Sequence, residues 1–173
     1  MKKEEGITVV IPAYGPVEIV ARSVYSAVSA YRGKNSKYKL EVLIYADDIE
    51  YQQENEGKSQ YDYFTSDEFN KLIEYKELTE IKVIHNLEKY GEHIYQGGAR
   101  LEGLNNSKYK LVCLMDCDDV FAPSFIVQAL DIYNSEAVKC PIFRIGAGHL
   151  SFDENGYQKN VGNSIWVQAY AWN

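Results

Sequence analysis

Short apolar runs alternate with one amphipathic segment in the first part of the chain. Residues 7–11 are rich in β-branched side chains and end at Pro12, a pattern typical of a buried strand. Apolar side chains then recur at helical spacing over residues 16–31, and Gly33 suits the position that ends a helix. A second apolar run follows at residues 40–45. This order predicts a right-handed βαβ unit with parallel strands.

The rest of the chain continues the alternation with weaker helical signals. Residues 49–64 are polar, acidic and rich in tyrosine, which predicts a long surface loop. Residues 111–115 form the most continuously apolar run, so we expect that strand near the centre of the sheet. The other predicted elements are a helix from a capping box at residues 65–68 to residue 78, a strand at 81–84, a short helix at 99–104, a helix from Pro123 to residue 133, a strand at 138–145, and short strands around a turn at 153–156. We therefore predict one α/β domain over residues 1–173, with a mostly parallel central sheet flanked by helices.

The composition excludes several classes of partner. The chain has 173 residues, of which 46% are hydrophobic and 25% charged, as in ordinary soluble globular proteins. Its formal net charge of −7 argues against a nucleic-acid partner. No apolar run is long enough to span a membrane, and no signal-peptide cleavage pattern is present. Three cysteines without a metal-type pair fit a reducing compartment, so we expect a cytoplasmic protein.

Polar residues follow three of the predicted parallel strands. They are Pro12-Ala13-Tyr14-Gly15 after the first strand, Asp47 and Asp48 after the second, and Asp116, Asp118 and Asp119 after the fourth. In an open parallel sheet, ligands bind beyond the carboxyl ends of the strands. Carboxylates gathered there repel one another unless a cation lies among them, and hard oxygen ligands favour Mg²⁺ or Mn²⁺. The sequence therefore predicts a metal-bridged nucleotide site.

Each of these motifs also has an ordinary structural interpretation. Two aspartates after a strand often form a turn or cap a helix, and this reading of Asp47 and Asp48 stays open beside the functional one. Arg100, near a glycine-rich helix start, is a candidate for contacting a phosphate or for forming a surface salt bridge. The three scattered histidines are interpreted as structural: His85, His93 and His149.

The order and separation of the motifs resemble the GT-A glycosyltransferases of family 2. The residues that carry the resemblance are Ile7 to Tyr14, Asp47-Asp48, Gly91 with Ala99 to Leu104, and Leu114 to Asp119 with Pro123 following. The resemblance implies a Rossmann-like GT-A fold that binds a nucleotide-diphosphate sugar, such as a UDP- or GDP-sugar, together with Mn²⁺ or Mg²⁺. Members of the family usually transfer the sugar to an acceptor hydroxyl with inversion, through one displacement.

The resemblance also implies roles for individual residues. Pro12, Ala13, Tyr14 and Asp47 would line the base and ribose. Asp116-x-Asp118 would be the DxD motif, with Asp118 on the metal and Asp116 near the ribose or the metal. Gly15 and Leu101 stand where the family usually has asparagine. No acidic pair of the family's base motif follows the last strong strand, so the catalytic base is unknown and we expect only the N-terminal, donor-binding portion of such an enzyme.

Other functions stay open beside this one. One alternative is a catalytically incomplete module that binds a sugar nucleotide without transferring the sugar. A HAD-type phosphatase is a more distant alternative, because Asp116-Cys-Asp-Asp-Val120 matches its nucleophile motif literally. That motif normally follows the first strand, however, and few residues remain after it here. No dinucleotide-binding or P-loop glycine pattern is present, which argues against a Rossmann dehydrogenase and a P-loop NTPase.

Overall fold

The strands and helices alternate along most of the chain. The computed structural model describes residues 3–31, 38–48, 59–73, 79–123, 125–134, 142–152 and 158–171. The described strands are β1 (Glu4–Ala13), β2 (Lys39–Ala46), β3 (Thr79–His85), β4 (Tyr109–Leu114), β5 (Ile142–Phe152) and β6 (Gln158–Ala171). The described helices are α1 (Val17–Tyr31), α2 (Gln60–Thr65), α3 (Asp67–Leu72), α4 (Asn86–Tyr90), α5 (Tyr95–Asn106) and α6 (Phe125–Asn134). Within these ranges, no helix is both long and apolar enough to cross a membrane.

The described strands form one sheet in the order β3-β2-β1-β4-β6-β5. The first four are parallel, and β6 runs antiparallel to both β4 and β5. The predicted α/β fold with a mostly parallel sheet is therefore confirmed, as is the central position of β4. Because β2 and β3 lie on one side of β1 and β4 lies on the other, the strand order reverses between β1 and β4. Ligand sites of open α/β sheets form at such a reversal.

The core fills both faces of the parallel strands. Strand β1 is buried from Gly6 to Ala13, and α1 packs its valine and alanine stripe against the sheet, as its helical spacing predicts. On the other face, α5 lies unusually close to β1, because Gly103 contacts Val10 where an added Cβ would approach a Val10 methyl carbon to 2.3 Å. This close approach brings the start of α5 to the carboxyl edge of the sheet.

Several local predictions differ from the structure. Helix α2 begins at Gln60, inside the segment 49–64 that we predicted as a loop, and it buries Gln60 and Phe64. The N-cap of α3 is Ser66 rather than Thr65: Ser66 ends α2 and its hydroxyl then accepts from the Phe69 N–H. Helix α4 was not predicted, and α5 begins earlier than the predicted 99–104.

The last two strands also differ from the prediction. Strand β5 is described from Ile142 and continues past the predicted strand at 138–145 to Phe152, and β6, which pairs with it antiparallel, is longer than the short strand expected after the turn. The predicted turn at 153–156 and residues 138–141 of the predicted strand lie outside the described residues.

One buried carboxylate interrupts the apolar run of β2. Glu41 is fully buried and accepts from the Thr8 hydroxyl at 2.8 Å and from the Lys108 backbone N–H at 3.0 Å. Its other oxygen lies 2.8 Å from Lys82 Nζ. The hydrogen bond to Glu41 raises the pKa of Lys82. The three donors satisfy both oxygens, and this is why a charge is tolerated inside the sheet.

Candidate functional site

A cavity of about 770 Å³ lies at the carboxyl edge of the sheet, where the strand order reverses. The connection after β1 forms one wall, and the residues that follow β2 and β4 form the two sides. All but one of the predicted site residues line it: Pro12, Ala13, Tyr14, Asp47, Asp116 and Asp118. Arg100 is not among the lining residues of the described chain, and it reaches the site through Asp116. The fold thus brings together motifs that are about a hundred positions apart in sequence.

The connection after β1 turns sharply and leaves an aromatic ring at the cavity. Tyr14 is exposed, and Gly15 has φ of 84°, a left-handed conformation that favours glycine. The Gln60 side chain donates to the Gly15 carbonyl at 2.7 Å. Helix α2 therefore holds this turn from outside the cavity, so a segment that we predicted as a surface loop contributes to the shape of the site.

The two aspartates after β2 have different roles. Asp48 is 1% exposed, and its oxygens accept from the Gln60 N–H at 2.7 Å and from the Ser59 hydroxyl at 2.6 Å. Asp48 therefore caps the start of α2 and does not line the cavity. The structural interpretation holds for this residue, whereas its neighbour Asp47 lines the cavity as the functional interpretation requires.

Asp47 is held by a histidine that sequence reasoning treated as structural. His93 Nδ1 contacts Asp47 Oδ1, and both side chains line the cavity. Asn86, the first residue of α4, lines it as well; it is buried, and its Oδ1 has no hydrogen-bond partner among the described residues. No periodicity marks either residue, because His93 lies in an irregular connection and Asn86 begins a helix of only 5 residues.

The acidic turn after β4 is fixed by backbone contacts. The Asp119 N–H donates to the Asp116 carbonyl at 3.1 Å and closes the turn. The buried Ser23 hydroxyl of α1 lies 2.6 Å from the carbonyl oxygens of both Cys117 and Asp119. The Cys117 thiol donates to the Tyr14 carbonyl at 3.2 Å, joining this turn to the wall formed after β1. The backbone of the turn is therefore held while its carboxylates stay accessible.

Two side chains of α5 hold the Asp116 carboxylate. Gln96 Nε2 donates to Oδ1 at 2.8 Å, and Arg100 Nη2 donates to the same oxygen. The Asp116 side chain is 40% exposed, and its Oδ2 has no partner among the described residues. The guanidinium of Arg100 thus neutralises part of the charge at the site and leaves one carboxylate oxygen for a ligand.

Fewer carboxylates converge at this edge than we predicted. Asp47, Asp116 and Asp118 line the cavity, whereas Asp48 caps α2 and Asp119 is not among the lining residues. No group of three or more His, Cys, Asp or Glu side chains in the described ranges is close enough to hold a metal ion.

The Cys117 thiol, in the middle of the turn, adds no anionic ligand to the carboxylates. Burial raises the pKa of Cys117, and the charges of Asp118 and Asp116 raise it further, so the thiol stays protonated at neutral pH. Carboxylate oxygens are therefore the anionic donors of the turn. Mg²⁺ and Mn²⁺ prefer oxygen ligands and commonly take several from water and phosphate, so Asp116 and Asp118 are the residues that would hold such a cation.

Comparisons with known proteins agree with this architecture. Residues 8–169 match the model of the glycosyl transferase family 2. The solved structure of S. aureus TarS 1–349 superposes with a TM-score of 0.51 at 12% identity, covering 96% of this chain and 47% of TarS 1–349. The chain thus spans about half the length of that protein, and at this identity the likeness shows a shared fold alone.

A second solved structure is CMP:2-keto-3-deoxy-manno-octonic acid synthetase complexed with CTP. It has a TM-score of 0.49 at 10% identity, covering 96% of this chain and 74% of that one. No curated protein sequence matches significantly. The family model nevertheless extends over nearly all of the parallel sheet and its site. The chain belongs to glycosyl transferase family 2.

Proposed function

We propose that the cavity binds a nucleotide-diphosphate sugar together with Mn²⁺ or Mg²⁺, as the donor site of a glycosyltransferase. One observation carries the proposal: in a family 2 chain, the exposed ring of Tyr14 and the carboxylates of Asp47, Asp116 and Asp118 line a single cavity where the strand order reverses. The cavity volume of about 770 Å³ is in the range of small-molecule sites.

The nucleoside would bind at the side formed by β1 and β2. The Tyr14 ring is exposed at the cavity and offers a face for stacking on a base. Asp47 is held through Oδ1 by His93, so its second oxygen is available to accept from a base N–H or a ribose hydroxyl. Pro12 and Ala13, buried at the end of β1, would form the floor beneath the nucleoside.

The diphosphate would lie at the side formed by β4. Asp118 and the free oxygen of Asp116 would hold the cation, whose charge would stabilise the leaving diphosphate. Asp116 and Asp118 are anionic, so a diphosphate cannot approach them closely without such neutralisation. Arg100 would act by fixing the Asp116 carboxylate, because its guanidinium already donates to that side chain.

The transfer itself would be a single displacement with inversion. The oxygen of an acceptor hydroxyl forms a bond to the anomeric carbon, the bond from that carbon to the diphosphate oxygen breaks, and the hydroxyl proton passes to a carboxylate base. No described residue is assigned as that base. Asp153 and Glu154, the acidic residues after the last predicted strong strand, lie outside the described residues.

Isothermal titration with UDP and GDP, in Mn²⁺ and after EDTA treatment, tests the proposal. We expect binding of at least one of the two in Mn²⁺ and a large loss of affinity with EDTA. The Asp62→Asn variant is the matched control, because it removes one carboxylate charge from an exposed position that does not line the cavity. Equal affinity with and without the metal would contradict the metal bridge. Turnover of a generic phosphate ester would favour the phosphatase instead.

A further inference from the structure

One short segment, His93 to Gln96, touches both sides of the cavity. His93 contacts Asp47, which follows β2, and Gln96 Nε2 donates to Asp116 Oδ1, which follows β4, at 2.8 Å. The segment runs from the connection after α4 into the first turn of α5, and the close packing of Gly103 on Val10 fixes the position of α5 against the sheet. The wall that it forms therefore spans the distance between the two carboxylates that flank β1.

Tyr95 lies within this segment and has two features that are unfavourable for folding. Its φ of 48° is left-handed, and no other described residue except glycine has a positive φ. A side chain with a Cβ adopts this conformation at a cost in free energy. The residue is also 72% exposed although it lines the cavity. Backbone strain and an exposed aromatic ring both work against folding, and such features occur together where a residue serves a ligand.

The surroundings of Tyr95 indicate which part of a ligand its ring would meet. The rings of Tyr95 and His93 lie 5.7 Å apart between centroids, and His93 contacts Asp47. Tyr95 is therefore joined to the side of the cavity that holds Asp47, whereas its neighbour Gln96 contacts the acidic turn through Asp116. The exposed ring of Tyr14 lines the same cavity from the connection after β1. A flat, weakly polar ring at that place suits the face of a nucleobase better than a charged diphosphate.

We propose that Tyr95 is a nucleotide-binding residue whose ring packs on the nucleoside of the donor, and that its left-handed backbone is retained because it presents the ring to the cavity. The inference rests on the proposed donor site. It adds a contact to the nucleoside from a residue that lies outside both the strand ends and the DxD motif. His93 and Gln96 hold the two ends of the segment and so position the ring between them.

Substitutions that separate the ring from the strain test this inference. Tyr95→Ala removes the ring but keeps a Cβ in the left-handed conformation, whereas Tyr95→Gly removes both the ring and the strain. We expect both variants to lose about tenfold in UDP affinity in Mn²⁺, because base stacking on an aromatic ring typically contributes about fivefold to a hundredfold in affinity. Tyr95→Phe keeps the ring and should bind UDP like the unchanged chain.

The thermal unfolding temperature supplies the second readout. Tyr95→Gly should unfold at or above the temperature of the unchanged chain, since glycine adopts positive φ freely. A merely structural Tyr95 would instead lose stability and affinity together. The matched control is Tyr25→Ala, which removes a half-exposed ring on α1 that does not line the cavity and should leave UDP affinity unchanged.

The outcomes separate this inference from the function on which it rests. If the unchanged chain binds UDP in Mn²⁺ and Tyr95→Gly binds it equally well, the role of Tyr95 is overturned and the donor site stands. If Tyr95→Phe loses as much affinity as Tyr95→Ala, the hydroxyl is the contact and the stacking role is overturned. If the unchanged chain binds neither UDP nor GDP, the donor site falls and this inference falls with it.

Discussion

Two carboxylates of the β2 region, six positions apart, show how the same chemical group becomes structural or functional. Glu41 lies near the start of the strand, is fully buried, and has both oxygens engaged by Thr8, Lys82 and Lys108. Asp47 lies just past the end, has one oxygen held by His93, and lines a cavity. A carboxylate that the protein satisfies completely supports the fold, whereas one held by a single oxygen keeps binding capacity for a ligand.

The same difference separates the adjacent residues Asp47 and Asp48. Asp48 uses both oxygens to cap α2 and is withdrawn from the cavity. At the end of β4, Asp116 follows the pattern of Asp47, since its two donors share Oδ1. The number of engaged oxygens therefore distinguishes the structural from the candidate site carboxylates more reliably than their position in the sequence does.

Removing the charge of Glu41 should produce the largest effect. Glu41→Gln places an amide N–H₂ among three donors inside the sheet, and we expect a loss of about 3 kcal/mol in unfolding free energy. For a chain of this size that corresponds to a fall of about 6–12 °C in Tm, measured by calorimetry. Glu80→Gln is the control: Glu80 contacts the same Lys82 at 3.2 Å with a side chain that is 43% exposed, and the substitution should change Tm by less than about 2 °C.

Neither substitution should change UDP affinity in the folded state. Both variants should bind UDP as the unchanged chain does, at temperatures well below their Tm, because Glu41 and Glu80 do not line the cavity. A large loss of affinity in Glu41→Gln would mean that the two ends of β2 are not independent.

Substitutions in the cavity should affect binding and leave stability nearly unchanged. Asp118→Asn should lower UDP affinity in Mn²⁺ by about tenfold to a hundredfold, because it removes an anionic ligand without changing size. Asp47→Asn should lose about tenfold, equally with and without the metal, because its contact is to the nucleoside. Titration of both variants with UDP, in Mn²⁺ and in EDTA, measures the difference. Identical metal dependence of the two variants would contradict the separate roles.

The sequence predicted the parts of the site that follow directly from strand ends. Apolar runs located β1, β2 and β4, and most of the residues predicted to follow them line one cavity, with Asp48 and Asp119 as the exceptions. The pattern could not reveal that Asp48 caps a helix beginning twelve positions later, or that His93 and Gln96 contact the two carboxylates. Those contacts depend on how the connections and the starts of helices pack in the tertiary fold. Neither periodicity nor local propensity determines that packing.

A smaller effect is expected from the helix that supports the acidic turn. Ser23→Ala removes the hydroxyl that lies 2.6 Å from the carbonyls of Cys117 and Asp119, so the turn should become less ordered. We expect a loss of about 1 kcal/mol in stability and a fall of about threefold to tenfold in UDP affinity in Mn²⁺. Titration with UDP measures the affinity, and calorimetry measures the stability.

A buried serine at the other end of the sheet is the control for Ser23. Ser107 donates to the Leu104 carbonyl at 3.0 Å and does not line the cavity. Ser107→Ala should lose comparable stability while keeping full UDP affinity. If both serine variants lose affinity to the same degree, the effect is general destabilisation and Ser23 does not position the turn.

The smallest expected effect is a pH dependence of stability at the Glu41 cluster. The hydrogen bond to Glu41 raises the pKa of Lys82 above its ordinary value of 10.5, so the folded chain holds this proton more tightly than the unfolded chain does. The resulting stabilisation is complete below pH 10.5 and is lost as the pH rises through the folded pKa. Between pH 9 and 12, the Tm of Glu41→Gln should fall less steeply with pH than the Tm of the unchanged chain. An identical slope would show that the pair of Glu41 and Lys82 contributes nothing to the pH dependence of stability.

We propose that the acidic turn after β4 holds a divalent cation as part of a nucleotide site. Paramagnetic broadening by substoichiometric Mn²⁺ in ¹H–¹⁵N spectra tests it most directly. In the presence of UDP, the amide signals of Tyr14 and of residues 116–118 should broaden first, while those of Glu41 and Lys82 stay sharp, and Asp118→Asn should abolish the pattern. Broadening centred on the acidic residues 59–68, or unchanged by UDP, would contradict the claim.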